Sequence, residues 1–183
     1  KADLSVQVHP SDDYALKNEA SYGKTEMWYV LDAVPDAKVV YGFHRDMERH
    51  QVEEGLKENT IEKYLQKVKA SKDDVFMVDP GCVHAIGSGI LLAEIQQNSD
   101  VTYRMYDYHR KDSAGLEREL HTDKALDVLN YKGSSAPKQP LRVLRYKEGC
   151  ARELLCRCAY FQVERILLSG RKNVEYRTDA LSL

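Results

Sequence analysis

The chain has 183 residues, of which 43% are hydrophobic and 31% are charged, and its formal net charge is −2. This composition is typical of a soluble globular protein, and the length allows one full domain and part of another. The small net charge and the lack of a basic stripe argue against nucleic acid as the main partner. The longest apolar run, residues 89–93, is far too short to cross a bilayer, so no membrane partner is expected.

The first half of the chain is predicted to consist mainly of short strands. Residues 4–9 alternate between apolar and polar side chains, which places Gln7 and His9 on the same face of a strand. Because the chain opens inside this strand, an upstream segment is expected to be missing. Ser11 is predicted to be the N-cap of a short helix that ends near Gly23. Further strands are predicted at residues 25–31, 38–43, 74–78, 90–97 and 101–108.

Two helical regions interrupt this strand pattern. Residues 46–70 carry apolar side chains at helical spacing and predict a helical insertion of two helices broken near Asn59. Thr122 is predicted to cap another short helix through Asn130. Many short strands with one helical insertion indicate a mainly β protein, a sandwich or jelly roll, and disfavour a parallel α/β sheet.

A segment rich in Gly, Ser and Pro divides the chain. Residues 133–140 are predicted to be a linker between a first domain at residues 1–132 and a C-terminal β-domain that starts at residue 141. In this second domain, strands are predicted at residues 156–168 and 173–177. Since these strands have no complete set of partners, the second domain is expected to be incomplete at residue 183.

The four cysteines give no sign of a disulfide framework. Cys82, Cys150, Cys156 and Cys158 contain no Cys-x-x-Cys pair, which indicates reduced thiols and a cytoplasmic setting. Cys156 and Cys158 are close enough to ligate a metal, but such a pair usually occurs with a second pair. We therefore expect core or edge-strand thiols.

Two histidines and one glutamate carry the strongest functional signal. His9, Glu26 and His84 each lie on or beside a strand, and together they form the ligand set of an open metal site. Taken singly, each histidine is more readily explained by a surface or hydrogen-bonded role. Gln7 is the weakest candidate ligand, because an amide oxygen binds zinc poorly and can instead support the true ligands.

Charged side chains accompany the candidate ligands. Strand alternation places Lys24 on the same face as Glu26. Glu94 and Arg104 lie on two further predicted strands and are expected to line the same interior. Burying such charges without partners costs several kcal/mol each, so a metal or an anionic ligand is expected to compensate them. Arg104 lies in a tyrosine-rich strand and has two open interpretations, a packed salt-bridge partner or a clamp for a phosphate or a developing oxyanion.

Several ordered motifs resemble one known family, the type I mannose-6-phosphate isomerases, in their short bacterial form. The resemblance is close over residues 3–132 and loose beyond them, and this chain starts and stops inside the family's usual length. The motifs that carry it are residues 7–10 (Gln-Val-His-Pro), 23–29, 80–85, 94–100 and 103–108.

The resemblance implies a cupin-type jelly roll, that is, a double-stranded β-helix. It also implies a zinc-dependent aldose–ketose isomerase that acts on a small sugar phosphate in the cytoplasm. Matched residue by residue, the zinc ligands fall on His9, Glu26 and His84, with Gln7 as an additional ligand in longer relatives. The metal-binding domain is then residues 1–132.

The resemblance also suggests a reaction and its participants. Mannose 6-phosphate and fructose 6-phosphate would interconvert through a cis-enediol. The active-site arginine of the family falls on Arg104, while Lys24 and Glu94 match positions that line its pocket. Glu94 is the better candidate for the base that moves the carbon-bound proton, and Lys24 suits oxygen or phosphate contacts.

Two other functions remain open at this point. The first is a non-catalytic cupin module that binds or senses sugar phosphates. The second is an iron oxygenase, which uses the same set of two histidines and one carboxylate. The basic pair Lys24 and Arg104 disfavours the oxygenase, because it is suited to an anionic substrate.

Overall fold

A computed structural model describes residues 2–134, 142–170 and 175. The chain divides into two compact units, Lys1–Gln139 and Pro140–Leu183. A short 3₁₀ turn, Ile61–Lys63, follows the second helix of the first unit. In chain order, the other elements of that unit are β1 (Val6–Val8), α1 (Asp12–Asn18), β2 (Glu26–Ala33), β3 (Lys38–Phe43), α2 (Arg49–Lys57), β4 (Leu65–Lys69), β5 (Val75–Val78), β6 (His84–Ile86), β7 (Ile90–Gln96), β8 (Tyr103–Tyr106) and α3 (Thr122–Val128).

The first unit is built on two antiparallel sheets that face each other. The larger sheet has the strand order β4-β3-β6-β1-β8, and the smaller one has the order β5-β2-β7. Trp28 and Phe76 from the smaller sheet pack with Val39 and Tyr41 from the larger sheet in one buried cluster. This arrangement confirms the predicted mainly β fold class.

A second buried cluster covers the opposite face of the larger sheet. Val6 and Val8 of β1 pack there against helical residues such as Val52 of α2 and Leu126 of α3. Because side chains alternate along a strand, Gln7 must point the other way, towards the smaller sheet. The space between the sheets therefore receives the polar face of β1.

The predicted pair of helices at residues 46–70 is only half right. Helix α2 is present, but the segment expected to form the second helix contains β4. Leu65 and Val68 are three residues apart, which imitates helical spacing, yet they pack into different clusters on opposite faces of the strand. Because side chains alternate along a strand, residues an odd number apart face opposite sides.

The second unit contains one antiparallel sheet in the described residues. Its strands are β9 (Val143–Lys147), β10 (Cys150–Arg157) and β11 (Gln162–Leu168), in the order β11-β10-β9. The single strand expected at residues 156–168 is wrong, because the chain turns between β10 and β11, with Cys158 N donating to Phe161 O at 3.0 Å.

Several expectations fall partly or wholly outside the described residues. The strand expected at residues 173–177 lies there except for Glu175, which has no strand assignment. Most of the linker expected at residues 133–140 also lies outside, and the domain boundaries remain predictions. Within the part of the chain that the structure describes, no helix is long and apolar enough to span a membrane.

A buried aspartate closes the loop that follows β8. Asp107 is 5% exposed and accepts hydrogen bonds from Arg110 and from Arg118, whose Nε lies 2.7 Å from Asp107 Oδ2. Burial alone would raise the pKa of Asp107, but the hydrogen bonds and charges of Arg118 and Arg110 outweigh it and lower that pKa. The carboxylate therefore fixes both ends of residues 108–118.

Replacing this carboxylate should weaken the fold at neutral pH. Asp107→Asn should lower the free energy of unfolding by about 1–3 kcal/mol, because the amide nitrogen cannot accept the arginine hydrogen bonds. The pKa of Asp107 is lowered in the folded state. The difference in unfolding free energy between the variant and the unaltered chain should therefore persist at all pH values above about 4, and it should vanish only as the pH falls through the pKa of Asp107 in the folded chain. Urea unfolding at several pH values measures it.

The matched control is Asp36→Asn. Asp36 makes an exposed ion pair with Lys69, so its replacement should change stability little. Equal effects of the two substitutions at neutral pH would contradict the role given to Asp107.

Candidate metal centre

Two strands of the larger sheet and one strand of the smaller sheet bring the three candidate ligands together. His9 follows β1, His84 begins β6, and Glu26 begins β2. One ligand atom from each lies within 4.8 Å of the others, and all three residues are buried. His9 Nε2 is 3.0 Å from Glu26 Oε1, and His84 Nε2 is 3.8 Å from Glu26 Oε2. The cluster that the sequence predicted is therefore present in the fold.

Backbone carbonyls orient both imidazoles. His9 Nδ1 lies 3.1 Å from Val101 O, and His84 Nδ1 lies 2.8 Å from Cys82 O. A carbonyl oxygen can only accept, so each Nδ1 donates a proton to it, and in the neutral imidazole the lone pair is then on Nε2. Both lone pairs are thereby available to a shared cation.

Two buried atoms of the cluster lack a hydrogen-bond partner. His9 Nε2 and Glu26 Oε1 are buried, and neither has a partner with hydrogen-bond geometry despite their 3.0 Å separation. Leaving such an acceptor buried without a partner costs about 1–3 kcal/mol, and the ammonium of Lys24, 2.9 Å from Glu26 Oε1, offsets this cost only for the carboxylate. Two imidazole nitrogens and a carboxylate oxygen are suitable donors for a divalent transition metal, so the residues fit such an ion.

The protonation states also suit a metal site. Burial alone would raise the pKa of Glu26, but its contact with His9 and the positive charges of His84, His9 and Lys24 lower it to about 2. Burial and the charge of His9 lower the pKa of His84 to about 4. At neutral pH the glutamate is ionised and His84 is neutral, as metal ligands must be.

Gln7 reaches the cluster through its strand register. It lies opposite His84 in the pairing of β1 with β6, and its side-chain nitrogen is 3.3 Å from His84 Nε2. A rotation of the amide about its last bond would bring the oxygen to the same place. Its assignment as an additional ligand stays a prediction.

The structure places Lys24 directly beside the cluster. Its ammonium nitrogen is 2.9 Å from Glu26 Oε1, and the residue is only 8% exposed. Lys24 therefore shares the carboxylate with His9. A buried cation at this point offsets part of the charge of Glu26.

Glu94 and Arg104 adjoin the cluster through neighbouring strands. Glu94 is exposed and lies opposite Trp28 in the β2–β7 pairing. Partial burial of its carboxyl, followed by the charge of Glu26, raises the pKa of Glu94. Arg104 lies opposite Gln7 in the β1–β8 pairing. Its Nη1 donates to Glu119 O at 2.8 Å, while its buried Nε has no hydrogen-bond partner.

The sequence did not reveal every group that supports the cluster. Trp28 Nε1 donates to Glu26 Oε2 at 3.2 Å, and the two-residue spacing on β2 was the available signal. The carbonyls of Val101 and Cys82 carry no sequence signal, because any residue type supplies a carbonyl. His121 is half-buried, and its Nδ1 accepts from Arg104 N at 3.2 Å.

Comparison with known proteins places this site in context. The chain is 41% identical over 174 residues to mannose-6-phosphate isomerase ManA of Bacillus subtilis, which covers 94% of this chain and 54% of that protein. It is 38% identical over 167 residues to the mannose-6-phosphate isomerase of Streptococcus mutans, which covers 91% of this chain and 52% of that protein. No protein-family model matches the chain.

Comparison with a solved structure supports the same fold. The crystal structure of the mannose 6-phosphate isomerase from Bacillus subtilis superposes with a TM-score of 0.86 at 34% sequence identity. The match covers 93% of this chain and 54% of that one. The fold and the ligand cluster thus define a cupin-type protein with a candidate metal centre.

The resemblance that the motifs predicted is confirmed. The chain is homologous to the mannose-6-phosphate isomerases over most of its length. It spans about half the length of the curated relatives that it matches.

A glycine holds the segment before Glu26 close to the segment after His9. A Cβ added to Gly23 would lie 2.5 Å from the backbone nitrogen of Asp12 and 2.7 Å from Pro10 O. Lys24 N also donates to Pro10 O at 3.1 Å. Only a residue without a side chain allows this approach.

Gly23→Ala should therefore destabilise the chain. The new methyl group must displace backbone atoms, which should cost about 1–3 kcal/mol and is measurable by denaturant unfolding of the metal-free protein. Gly55→Ala in α2 is the matched control. Its Cβ would meet nothing closer than 3.4 Å, and alanine favours a helix. Equal stability of the Gly23 variant and the unaltered chain would refute the close packing.

Proposed function

We propose that the chain contains the metal centre of a zinc-dependent aldose–ketose isomerase that interconverts mannose 6-phosphate and fructose 6-phosphate. The observation that carries this proposal is the buried cluster of His9, Glu26 and His84, in which His9 Nε2 lies 3.0 Å from Glu26 Oε1 without a hydrogen bond. The similarity to relatives that bear this activity in their names supports the choice of reaction. Because the chain spans about half of those relatives, the activity of the whole protein is part of the proposal.

The proposal assigns the ion to His9, Glu26 and His84, with Gln7 as an additional ligand. Zinc is the choice because two imidazoles and one carboxylate, with a further position open, are typical of catalytic zinc sites. When bound, the ion supplies a Lewis acid that stabilises negative charge on the substrate oxygens.

The remaining side chains serve the proton transfers and the anionic substrate. The reaction moves one proton between C1 and C2 and another between the attached oxygens, through a cis-enediol. Glu94 takes the carbon-bound proton, since its raised pKa brings a carboxylate closer to the pH at which it works. Arg104 has a buried Nε without a hydrogen-bond partner, which is available to the developing oxyanion or the phosphate. Lys24 balances the charge of Glu26 and contacts substrate oxygens.

The proposal includes a cytoplasmic location. Cys82, Cys150, Cys156 and Cys158 form no disulfide bond. Free thiols are typical of a reducing compartment.

Two substitutions separate metal binding from turnover. His84→Ala should abolish both zinc binding and turnover. Its loss of zinc affinity should exceed the roughly 10–100-fold that is typical when a group that only supports a ligand is removed. Arg104→Ala should leave zinc affinity unchanged and lower kcat by about 100- to 1,000-fold. Zinc content and competition with a chelator measure the first quantity, and a coupled assay measures the second.

The exposed Arg145 in β9 provides a control, since Arg145→Ala should change neither quantity. Full zinc stoichiometry in His84→Ala would show that the ligand assignment is wrong. Incubating the metal-loaded chain with fructose 6-phosphate and following mannose 6-phosphate by NMR tests the reaction itself. Binding of fructose 6-phosphate without conversion would instead favour a sugar-phosphate-binding module.

A further inference from the structure

In the loop that follows β7, the side chain of Gln97 takes the place of a backbone carbonyl in the pairing with Thr25. The pairing of β2 with β7 ends with Glu26 opposite Gln96. Beyond it, Gln97 N donates to Thr25 O at 2.9 Å. The return bond runs from Thr25 N to the side-chain Oε1 of Gln97, at 3.0 Å. The backbone carbonyl of Gln97 accepts instead from Ser99 N, at 2.7 Å, as the chain turns away.

The other end of the same amide contacts the segment after His9. Gln97 Nε2 donates to Asp12 Oδ1 at 3.0 Å, and this oxygen also accepts from Gly23 N at 2.8 Å. Because the Thr25 N–H needs an acceptor, the amide oxygen must face Thr25 and the amide nitrogen must face Asp12. The 9% exposure of Gln97 keeps both bonds away from competing water.

The loop also reaches the first histidine. Ser99 Oγ donates to Tyr22 O at 2.8 Å and accepts from Val101 N at 3.3 Å. Val101 O then accepts the Nδ1 proton of His9. One five-residue stretch, residues 97–101, therefore contacts the strand of Glu26, the segment after His9, and His9 itself.

From this geometry we infer that Gln97 is a positioning residue for the metal centre. Its amide ties Thr25, next to Glu26, to Asp12, three residues after His9, and so fixes the spacing of two ligands that belong to different sheets. Metal–ligand distances tolerate deviations of only about 0.2 Å, so loosening this connection weakens metal binding. The inference rests on the proposed function only in taking the cluster to bind a metal.

A reversal of the hydrogen-bond polarity tests this role. Gln97→Glu keeps an acceptor for Thr25 N but sets a carboxylate against Asp12, and it should lower zinc affinity by about 10- to 100-fold. Adding Asp12→Asn removes the repulsion between the two carboxylates, while the amide oxygen still accepts from Gly23 N. The double variant should recover part of the lost affinity, whereas Asp12→Asn alone should change it little, because the amide oxygen still accepts from Gln97 Nε2. Zinc affinity is measured by competition with a chromophoric chelator.

Further measurements separate positioning from a general loss of stability. Gln97→Leu removes both hydrogen bonds, and Gln66→Leu in β4 is its matched control, because Gln66 is half-buried and its amide oxygen has no hydrogen-bond partner. The control should bind zinc like the unaltered chain. The visible absorption of bound Co²⁺ reports ligand geometry, and it should change in Gln97→Leu and Gln97→Glu. Unfolding of the metal-free proteins gives the stability of each variant.

The outcomes distinguish the inference from the proposed function. Unaltered zinc affinity and an unaltered cobalt spectrum in Gln97→Glu would overturn the inference, as would equal losses in the single and double variants. If Gln97→Leu does not fold, Gln97→Glu decides, since it retains the acceptor for Thr25. An unaltered chain that binds neither zinc nor cobalt would overturn the proposed function, and the inference with it.

Discussion

The first unit depends on the burial of a carboxylate and two imidazoles between two sheets. Glu26 and His84 have no measurable exposure, and His9 is 1% exposed. Such a group of acceptors is costly unless a cation joins it. Lys24 supplies one positive charge, but its contact with Glu26 Oε1 leaves His9 Nε2 without a hydrogen-bond partner. The fold thus holds together a set of groups that could bind a further cation.

Packed side chains on both faces of the larger sheet hold these buried polar groups in place. The face of the larger sheet that bears Val6 and Val8 is covered by helices, while the facing cluster around Trp28 and Phe76 fills the rest of the space between the sheets. Trp28 belongs to this core and also donates to Glu26. Packing and ligand orientation are therefore coupled through one side chain, because moving the tryptophan would disturb both.

Much of this arrangement was predictable from short-range pattern. Alternation along β1 separates Val6 and Val8 from Gln7, and the two-residue spacing from Lys24 to Glu26 places both on one face. These predictions succeed because a strand exposes its two faces at a fixed period of two residues. The same logic failed for β4, where Leu65 and Val68 face opposite clusters and their spacing imitates a helix.

What sequence could not reveal is how distant loops complete the site. The acceptors of both Nδ1 protons are backbone carbonyls, and Gln97 acts through a side chain that replaces a strand partner. Neither arrangement changes residue type in a way that periodicity detects. The candidate ligands and these supporting groups all lie within the unit Lys1–Gln139. The four candidate ligands, Gln7, His9, Glu26 and His84, therefore come from one unit of a chain that spans about half the length of its relatives.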